Sequence, residues 1–407
     1  MKWGDQMIRV LIADDSAFMR QVISDLFAAQ PDFEVVGTAR NGKEAVEGVQ
    51  KYKPDLLTMD VNMPVMDGMA ALEVIMKDMP TPVVMFSSVT QEGAEATIRA
   101  LSLGAVDYIS KTGGSISKID TIADDILAKC RAAAKANLSV LKLGKSPKAE
   151  TKPAPAGPPE MRRVAIPQRK TFQFQRPAAP LTRKPAPVLN KIPAASAAAP
   201  KPTSLDETPA VKTSFSGGSG KLVAIGTSTG GPKALQNVIT RLPANLPCGV
   251  VVVQHMLKGF TKSLAERLDS ISEISVKEAE NNDIIEAGHV YIAPGDYHMV
   301  VVREGNKRKI MLNQDPPLDS HRPAVNILFD SVAQFGKDVV SVILTGMGCD
   351  GATGMQKIKK TGGYIIAESQ ETAVVYGMPK AVADLGIADE IKPVQQVANS
   401  IVEAVKK

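Results

Sequence analysis

Aspartates, serines and a lysine recur at the carboxyl ends of apolar runs in the first third of the chain. Asp14 and Asp15 follow Arg9 to Ala13, Asp60 follows Asp55 to Met59, Ser87 and Ser88 follow Pro82 to Phe86, and Lys111 follows Val106 to Ser110. Carboxylates that converge repel one another unless a cation joins them, and an oxygen-only set without His or Cys points to magnesium rather than zinc. An ammonium and a hydroxyl beside them can hold the oxygens of a phosphoryl group. The competing reading is that each aspartate caps the helix that follows it. Agreement among four strand ends weighs against that.

A second constellation begins where the apolar run Leu222 to Gly226 meets Gly226-Thr227-Ser228-Thr229-Gly230-Gly231 and a helix opened by Pro232. The spacing contains G-x-S-x-G, whose small residues permit a sharp strand-to-helix turn that exposes a serine oxygen, with helix-start amides able to stabilise an oxyanion. A phosphate-cradling glycine loop and a plain tight turn compete with this reading, although neither G-x-G-x-x-G nor G-K-[ST] is present. A serine nucleophile needs a base, and the chain offers four histidines, His255, His289, His298 and His321. His255 directly follows the apolar run ending at Gln254, which puts it at the same sheet edge as Ser228. His289 starts a strand and His298 sits beside a hairpin, the settings of structural or surface histidines. His321 is expected to open a helix in Ser320-His321-Arg322-Pro323, either capping it or facing a substrate. For the orienting acid, Asp350 lies in a glycine-rich turn after Val339 to Leu344, like Ser228, while Asp296 in Ala293-Pro294-Gly295-Asp296 is its rival. Ser228, His255 and Asp350 would then converge in the order Ser, His, Asp, which differs from the Ser, Asp, His order of α/β-hydrolases.

The elements that must position these groups are legible as periodicity. Up to about residue 140, strand-like runs (Arg9 to Ala13, Glu34 to Thr38, Asp55 to Met59, Pro82 to Phe86, Val106 to Ser110) each precede an amphipathic stretch. This βα repeat predicts a parallel sheet with helices on both faces and ligands beyond the strands' carboxyl ends. From about residue 220, strands are expected at Leu222 to Gly226, Val250 to Val253, Ile274 to Glu278, His289 to Ala293, Met299 to Arg303, Lys309 to Leu312, Val339 to Leu344 and Tyr364 to Ala367. Helices are expected around Lys233 to Arg241, Lys262 to Leu268, Val325 to Gln334, Ala352 to Lys360 and Val394 to Lys406. The mixture predicts a doubly wound α/β fold with an antiparallel hairpin turning at Glu304-Gly305-Asn306.

The strings Asp-Asp-Ser-Ala-Phe-Met-Arg at Asp14 and Asp-Val-Asn-Met-Pro-Val-Met-Asp-Gly at Asp60 resemble the receiver domain of response regulators. That resemblance implies a flavodoxin-like (βα)5 domain in which Asp60 accepts phosphate from a histidine kinase. It also implies that Asp14, Asp15, Asp60 and the carbonyl of Asn62 hold magnesium, and that Ser87 and Lys111 are the switch hydroxyl and lysine. The Ser228, His255 and Asp350 strings resemble the catalytic domain of the chemotaxis protein-glutamate methylesterases. So do Tyr291-Ile292-Ala293-Pro294-Gly295, His321-Arg322-Pro323 and Tyr376-Gly377-Met378-Pro379. The implied activity is hydrolysis of glutamate γ-methyl esters, and deamidation of glutamines, on methyl-accepting chemoreceptors. Ser228 would be the nucleophile, His255 the base, Asp350 its partner, and amides near Thr229 and Met347 the oxyanion donors, with no cofactor for the ester chemistry. Arg322 and Lys258 are expected either to help dock an acidic receptor or to be solvated surface charge. The same family implies that the unphosphorylated receiver covers the esterase cleft.

Composition bounds the rest. The 407 residues, 44% hydrophobic and 22% charged, suffice for more than one core and exclude a wholly disordered chain. A net charge of +5 hints at nucleic acid, but 13 Lys or Arg and 4 Asp or Glu lie between Lys145 and Ser214, so the remainder of the chain is acidic. The same segment holds 14 of the 28 prolines. It reads as a polyproline-like or disordered tether. The expected division is a receiver at 1–140, a linker at 141–219 and a methylesterase domain at 220–407. Cys130, Cys248 and Cys349 lack metal or disulfide spacing, no 18-residue apolar run exists, and the first residues lack an apolar signal core. The expectation is a cytoplasmic monomer that is not membrane-inserted and binds no nucleic acid.

Overall fold

Short runs of Val, Ile and Leu become strands, and the amphipathic segments between them become the helices that cover both faces. The computed structural model describes residues 7–88, 90–111, 116–139 and 220–407. The tether expected at 141–219 lies outside the described residues. The N-terminal block comprises β1 (Ile8–Ala13), α1 (Ala17–Ala28), β2 (Phe33–Ala39), α2 (Gly42–Tyr52), β3 (Leu56–Asp60), α3 (Gly68–Asp78), β4 (Val83–Ser88), α4 (Gln91–Leu103), β5 (Asp107–Lys111) and α5 (Ile116–Ala134). Its parallel strands take the order β2-β1-β3-β4-β5, the flavodoxin-like arrangement.

The C-terminal block contains β6 (Leu222–Thr227), α6 (Gly231–Ile239), β7 (Gly249–Gln254), α7 (Phe260–Ile271), β8 (Ser275–Glu278), β9 (His289–Ile292), β10 (His298–Glu304) and β11 (Lys307–Asn313). It continues with α8 (Val325–Val332), β12 (Val339–Ile343), α9 (Ala352–Lys360), β13 (Tyr364–Glu368), α10 (Met378–Asp384), β14 (Glu390–Lys392) and α11 (Val394–Lys406). One parallel sheet has the order β14-β13-β12-β6-β7-β9-β8, and β10 and β11 form a separate antiparallel hairpin. The chain moves outward from β6 through β7 on one side and later through β12 on the other. The switch point therefore lies between β6 and β12, and ligands of doubly wound sheets sit beyond the strand ends there.

Strands β6, β7 and β12 are buried along their whole length. Helices α6, α7 and α11 contribute to the apolar core on one face, and α8, α9 and the hairpin to the core on the other. Phe329 of α8 is fully buried. A Cβ on Gly226, Gly351 or Gly354 would lie within 3.3 Å of it, so the absence of side chains at these positions makes its space. The apolar cluster on the α6 face also runs into the N-terminal block, where α4 packs against α6 and α7 and the Tyr108 ring lies 4.6 Å from that of Phe260.

One helix start read from a local string is misplaced, although the helix expected from periodicity at Val325 does begin there. His321 opens no helix. It forms an isolated bridge with Leu318, and α8 begins only at Val325. The reason is local, because the residue before a proline is disfavoured in the helical region and Arg322 precedes Pro323. The helix expected to reach Gln334 becomes a 3-10 turn at Ala333–Asp338. The hairpin strands extend to Glu304 and from Lys307, with those two residues paired, so the connection is two residues rather than three. Helix α10 and strand β14, too short to show periodicity, were not expected.

Phe329→Ala is expected to lower the unfolding free energy of the C-terminal sheet by about 3–5 kcal/mol, read by urea denaturation. A loss below about 1 kcal/mol would mean the site collapses around the smaller side chain.

Candidate functional site

Three loops meet at the switch point. Ser228 follows β6, His255 follows β7, and Asp350 precedes α9 in the loop after β12. Ser228 Oγ lies 3.2 Å from His255 Nδ1, and His255 Nε2 lies 2.8 Å from Asp350 Oδ2. With Nε2–H donating to the carboxylate, the Nδ1 lone pair faces the serine hydroxyl, the arrangement a general base requires. His255 and Asp350 side chains are almost fully buried. Burial alone would raise Asp350, but the His255 bond and the Asn326 and Val325 amides hold its carboxyl below the ordinary carboxylate range.

Those amides give Asp350 a second task. Its Oδ2 accepts from Val325 N at 2.7 Å and its Oδ1 from Asn326 N at 2.9 Å. Helix α8 has no side-chain cap of its own, so Asp350 satisfies its first donors from across the sheet. Asp296, the rival acid, is instead the partner of Arg322, whose Nη2 lies 2.5 Å away. Arg322 also donates to the Gln314 and Asp315 carbonyls, so it is tied into a loop rather than free for docking.

The serine turn takes its left-handed residue as a glycine close to Ser228. Gly230 takes φ +78°, while Ser228 itself avoids the left-handed region. Ser228 N donates to Thr345 O at 3.0 Å, and Gln254 Nε2 holds Ser228 O at 2.9 Å. Gly346 brings the opposite loop against the serine, since a Cβ there would stand 2.9 Å from Ser228 Cβ and 2.2 Å from Met378 Sδ. The N–H groups of Thr229 and Met347, the expected oxyanion donors, donate no hydrogen bond among the described residues.

The other histidines separate clearly. His298 is fully buried, accepting Ala324 N and donating to Pro316 O, and His289 donates to Ala287 O. His321 stacks on His255 with ring centroids 3.9 Å apart, and its Nδ1 is buried without a partner. Burial, and then the His255 ring, push its pKa down. Reading Ser320-His321-Arg322-Pro323 as a helix start gave no hint of this stacking.

Beneath the serine turn lies a carboxyl that the sequence reading passed over. Glu368, the last residue of β13, is 1% exposed and accepts from Thr345 N at 2.8 Å and Thr372 Oγ1 at 3.0 Å. Burial pushes its pKa up to about 7 against these two hydrogen bonds. The expected strand stopped at Ala367. The strand-end rule that flagged Asp14 and Asp60 would also have flagged Glu368.

In the N-terminal block, Asp14, Asp15 and Asp60 each offer an oxygen within 4.8 Å of the others. Lys111 Nζ bridges Asp14 Oδ2 at 2.8 Å and Asp60 Oδ2 at 2.7 Å. The capping alternative is not what these aspartates do, because α1 is capped by Ser16 and α3 by Asp67. Burial, with the Asp14 charge adding to it, raises Asp60 above the ordinary range despite Lys111. An oxygen-only donor set fits a hard divalent cation, and the Asn62 backbone lies alongside, its N–H donating to Asp60 Oδ1. Ser87 does not join the cluster. Its hydroxyl donates to Gly93 O at 3.0 Å, at the start of α4.

The two blocks meet beside the serine. Thr229 Oγ1 donates to Asp107 Oδ2 at 2.5 Å, and Leu257 N donates to Tyr108 Oη at 3.2 Å. Asn137 N donates to Val374 O at 2.9 Å.

A family model described as CheB methylesterase matches residues 223–401, and one described as response regulator receiver domain matches residues 10–123. The protein-glutamate methylesterase/protein-glutamine glutaminase of Symbiobacterium thermophilum is 46% identical over 400 residues, covering 98% of this chain and 97% of its own. That of Pyrococcus abyssi is 42% identical over 401 residues, covering 98% and 94%. Among solved structures, the CheB methylesterase catalytic domain of Thermotoga maritima is 47% identical, with a TM-score of 0.45, over 46% of this chain and 99% of its own.

Asp350→Ala orphans two helix amides, whereas Ser228→Ala removes only the bond to His255. Urea denaturation is expected to give a loss of about 1–3 kcal/mol for the first and below about 0.5 for the second. Equal losses would contradict the capping role. Glu368 adds a pH signature. Its folded pKa of about 7 lies above the ordinary 4.5, so the folded chain keeps a proton that the unfolded chain has released. The stabilisation is full below that ordinary value and is lost as pH rises to about 7, roughly 3 kcal/mol in all. Glu368→Gln is expected to flatten this part of the stability profile, and an unchanged slope would refute the assignment.

Proposed function

The chain belongs to the protein-glutamate methylesterase/protein-glutamine glutaminase family, and from that premise we propose that it hydrolyses glutamate γ-methyl esters on methyl-accepting chemoreceptors and deamidates receptor glutamines. The observation that carries this reading is the hydrogen-bonded chain from Ser228 through His255 to Asp350 at the switch point. Ser228 Oγ attacks the ester carbonyl as His255 Nδ1 takes its proton, and Asp350 stabilises the imidazolium through Nε2–H. The Thr229 and Met347 amides receive the developing oxyanion, and their lack of other acceptors supports that role. His255 returns the proton to the leaving methoxide, so methanol departs and a glutamyl-serine ester remains. Water activated by His255 then hydrolyses that ester. A glutamine follows the same path with ammonia leaving.

Control enters through the N-terminal block, taken as a receiver at 1–140 joined by a 141–219 linker to a hydrolase at 220–407. Asp60 accepts a phosphoryl group from a histidine kinase. Asp14, Asp15, Asp60 and the Asn62 carbonyl would hold magnesium, which neutralises the carboxylates and phosphoryl oxygens when bound. The Lys111 ammonium pairs with the new dianion, and Ser87 turns from Gly93 O toward it, which disturbs the start of α4. Because α4 packs on α6 and α7, that disturbance bears on the contact that includes Asp107 and Thr229. Phosphorylation loosens this contact and opens the cleft. Among the described residues no helix is long and apolar enough to cross a membrane. The proposed setting is a cytoplasmic monomer.

Methanol release from methylated chemoreceptor membranes tests the proposal. Ser228→Ala is expected to be inactive, and Asp60→Asn to lose stimulation by a small phosphodonor. Asp107→Ala, which removes the acceptor of the Thr229 hydroxyl, is expected to raise release by the unphosphorylated protein several-fold. Full release by Ser228→Ala would sink the catalytic assignment, whereas unchanged release by Asp107→Ala would remove only the contact's regulatory role.

A further inference from the structure

Glu368 is a buried carboxyl with no Lys, Arg or His partner among the described residues, an arrangement that costs stability whenever the group is ionised. What it touches lies in the floor of the serine site. Its Oε2 accepts Thr345 N at 2.8 Å. Thr345 in turn binds three consecutive residues of the nucleophile turn. Its carbonyl accepts from Thr227 Oγ1 at 2.9 Å and from Ser228 N at 3.0 Å, and its hydroxyl donates to Thr229 O at 2.9 Å. The same hydroxyl accepts Val375 N at 2.9 Å, which fixes the loop leading to Met378. Two residues beyond Thr345 is Met347.

Thr345 therefore joins the two segments that carry the proposed oxyanion donors, one through its bonds and one through its chain. Glu368 fixes Thr345 against β13. The other carboxylate oxygen accepts Thr372 Oγ1 at 3.0 Å, and that hydroxyl accepts Val394 N at 2.8 Å, so the support is anchored at the start of α11. A 1 Å misplacement of such donors weakens transition-state stabilisation without altering how substrate docks.

We propose that Glu368 is a positioning residue of the hydrolytic site, setting through Thr345 the separation of the Thr229 and Met347 amides around Ser228. The inference rests on the hydrolase reading above. It concerns distance rather than charge. Glu368→Gln keeps an oxygen where Thr345 N–H needs it, while Glu368→Asp keeps the charge one methylene short.

The test is steady-state methanol release by the full chain, titrated in methylated chemoreceptor membranes, with thermal melts to count folded molecules. Glu368→Gln is expected to keep kcat within about threefold of wild type, and Glu368→Asp to lose about 10–100-fold in kcat with KM within about twofold. Ile366→Val, an apolar change elsewhere on β13, is expected to keep wild-type kcat per folded molecule. Should Glu368→Asp not fold, Thr345→Val takes its place with the same expectation. Wild-type kcat for Glu368→Asp, an equal loss in Glu368→Gln, or an effect on KM alone would overturn the proposal. Ser228→Ala runs alongside. If it still released methanol, both this inference and the hydrolase reading would fall; if it is inactive, the Glu368 variants judge the inference alone.

Discussion

A single carboxylate holds the C-terminal block's chemistry and architecture together. Asp350 leaves β12, crosses the switch point, orients His255 and supplies the first acceptors of α8. A buried charge is tolerable only when its hydrogen-bonding capacity is filled, and three donors fill it here. The cost of losing it would be spread over α8, His255 and, through His255, Ser228 at once. That coupling distinguishes Asp350, in a loop after a central strand, from the half-buried Asp296, which is committed to Arg322.

The two blocks solve the same problem, carboxylates gathered at the ends of parallel strands, in different ways. In the N-terminal block Lys111 balances Asp14 and Asp60, and the oxygens remain open to a hard cation. In the C-terminal block, Asp350 is neutralised by backbone amides and an imidazole, while Glu368 is left without a cation and is shifted toward neutrality. The contact between blocks runs from β5 through Asp107 to Thr229, the residue after Ser228. A change near Lys111, at the other end of that five-residue strand, has a short rigid path to Thr229.

Much of this was legible in the residues. Strand-end aspartates, the Gly226 to Gly231 turn, and His255 after an apolar run follow from continuous apolar runs alternating with segments of period 3.6, which sequence states directly. The expected Ser228, His255 and Asp350 come together, as do Asp14, Asp15, Asp60 and Lys111. What sequence hid depends on tertiary geometry. His321 was misplaced because a pre-proline segment mimics a helix start. Ser87 was expected beside the carboxylates but bonds α4 instead. Glu368, Asp107 and Tyr108 carry no local signal of the contacts that matter here, since Thr345, Thr229 and Leu257 lie 23, 122 and 149 residues away in the chain.

The central claim is that Ser228 becomes covalently acylated with His255 as its base. Acid quenching of the enzyme during turnover of a methylated receptor preparation, followed by peptide mass spectrometry, tests it directly. The account predicts a glutamyl adduct on the peptide containing Ser228, absent from Ser228→Ala and strongly reduced in His255→Ala. Turnover at the wild-type rate with no adduct under conditions where hydrolysis of the adduct is slowed, or an adduct that persists in Ser228→Ala, would contradict it.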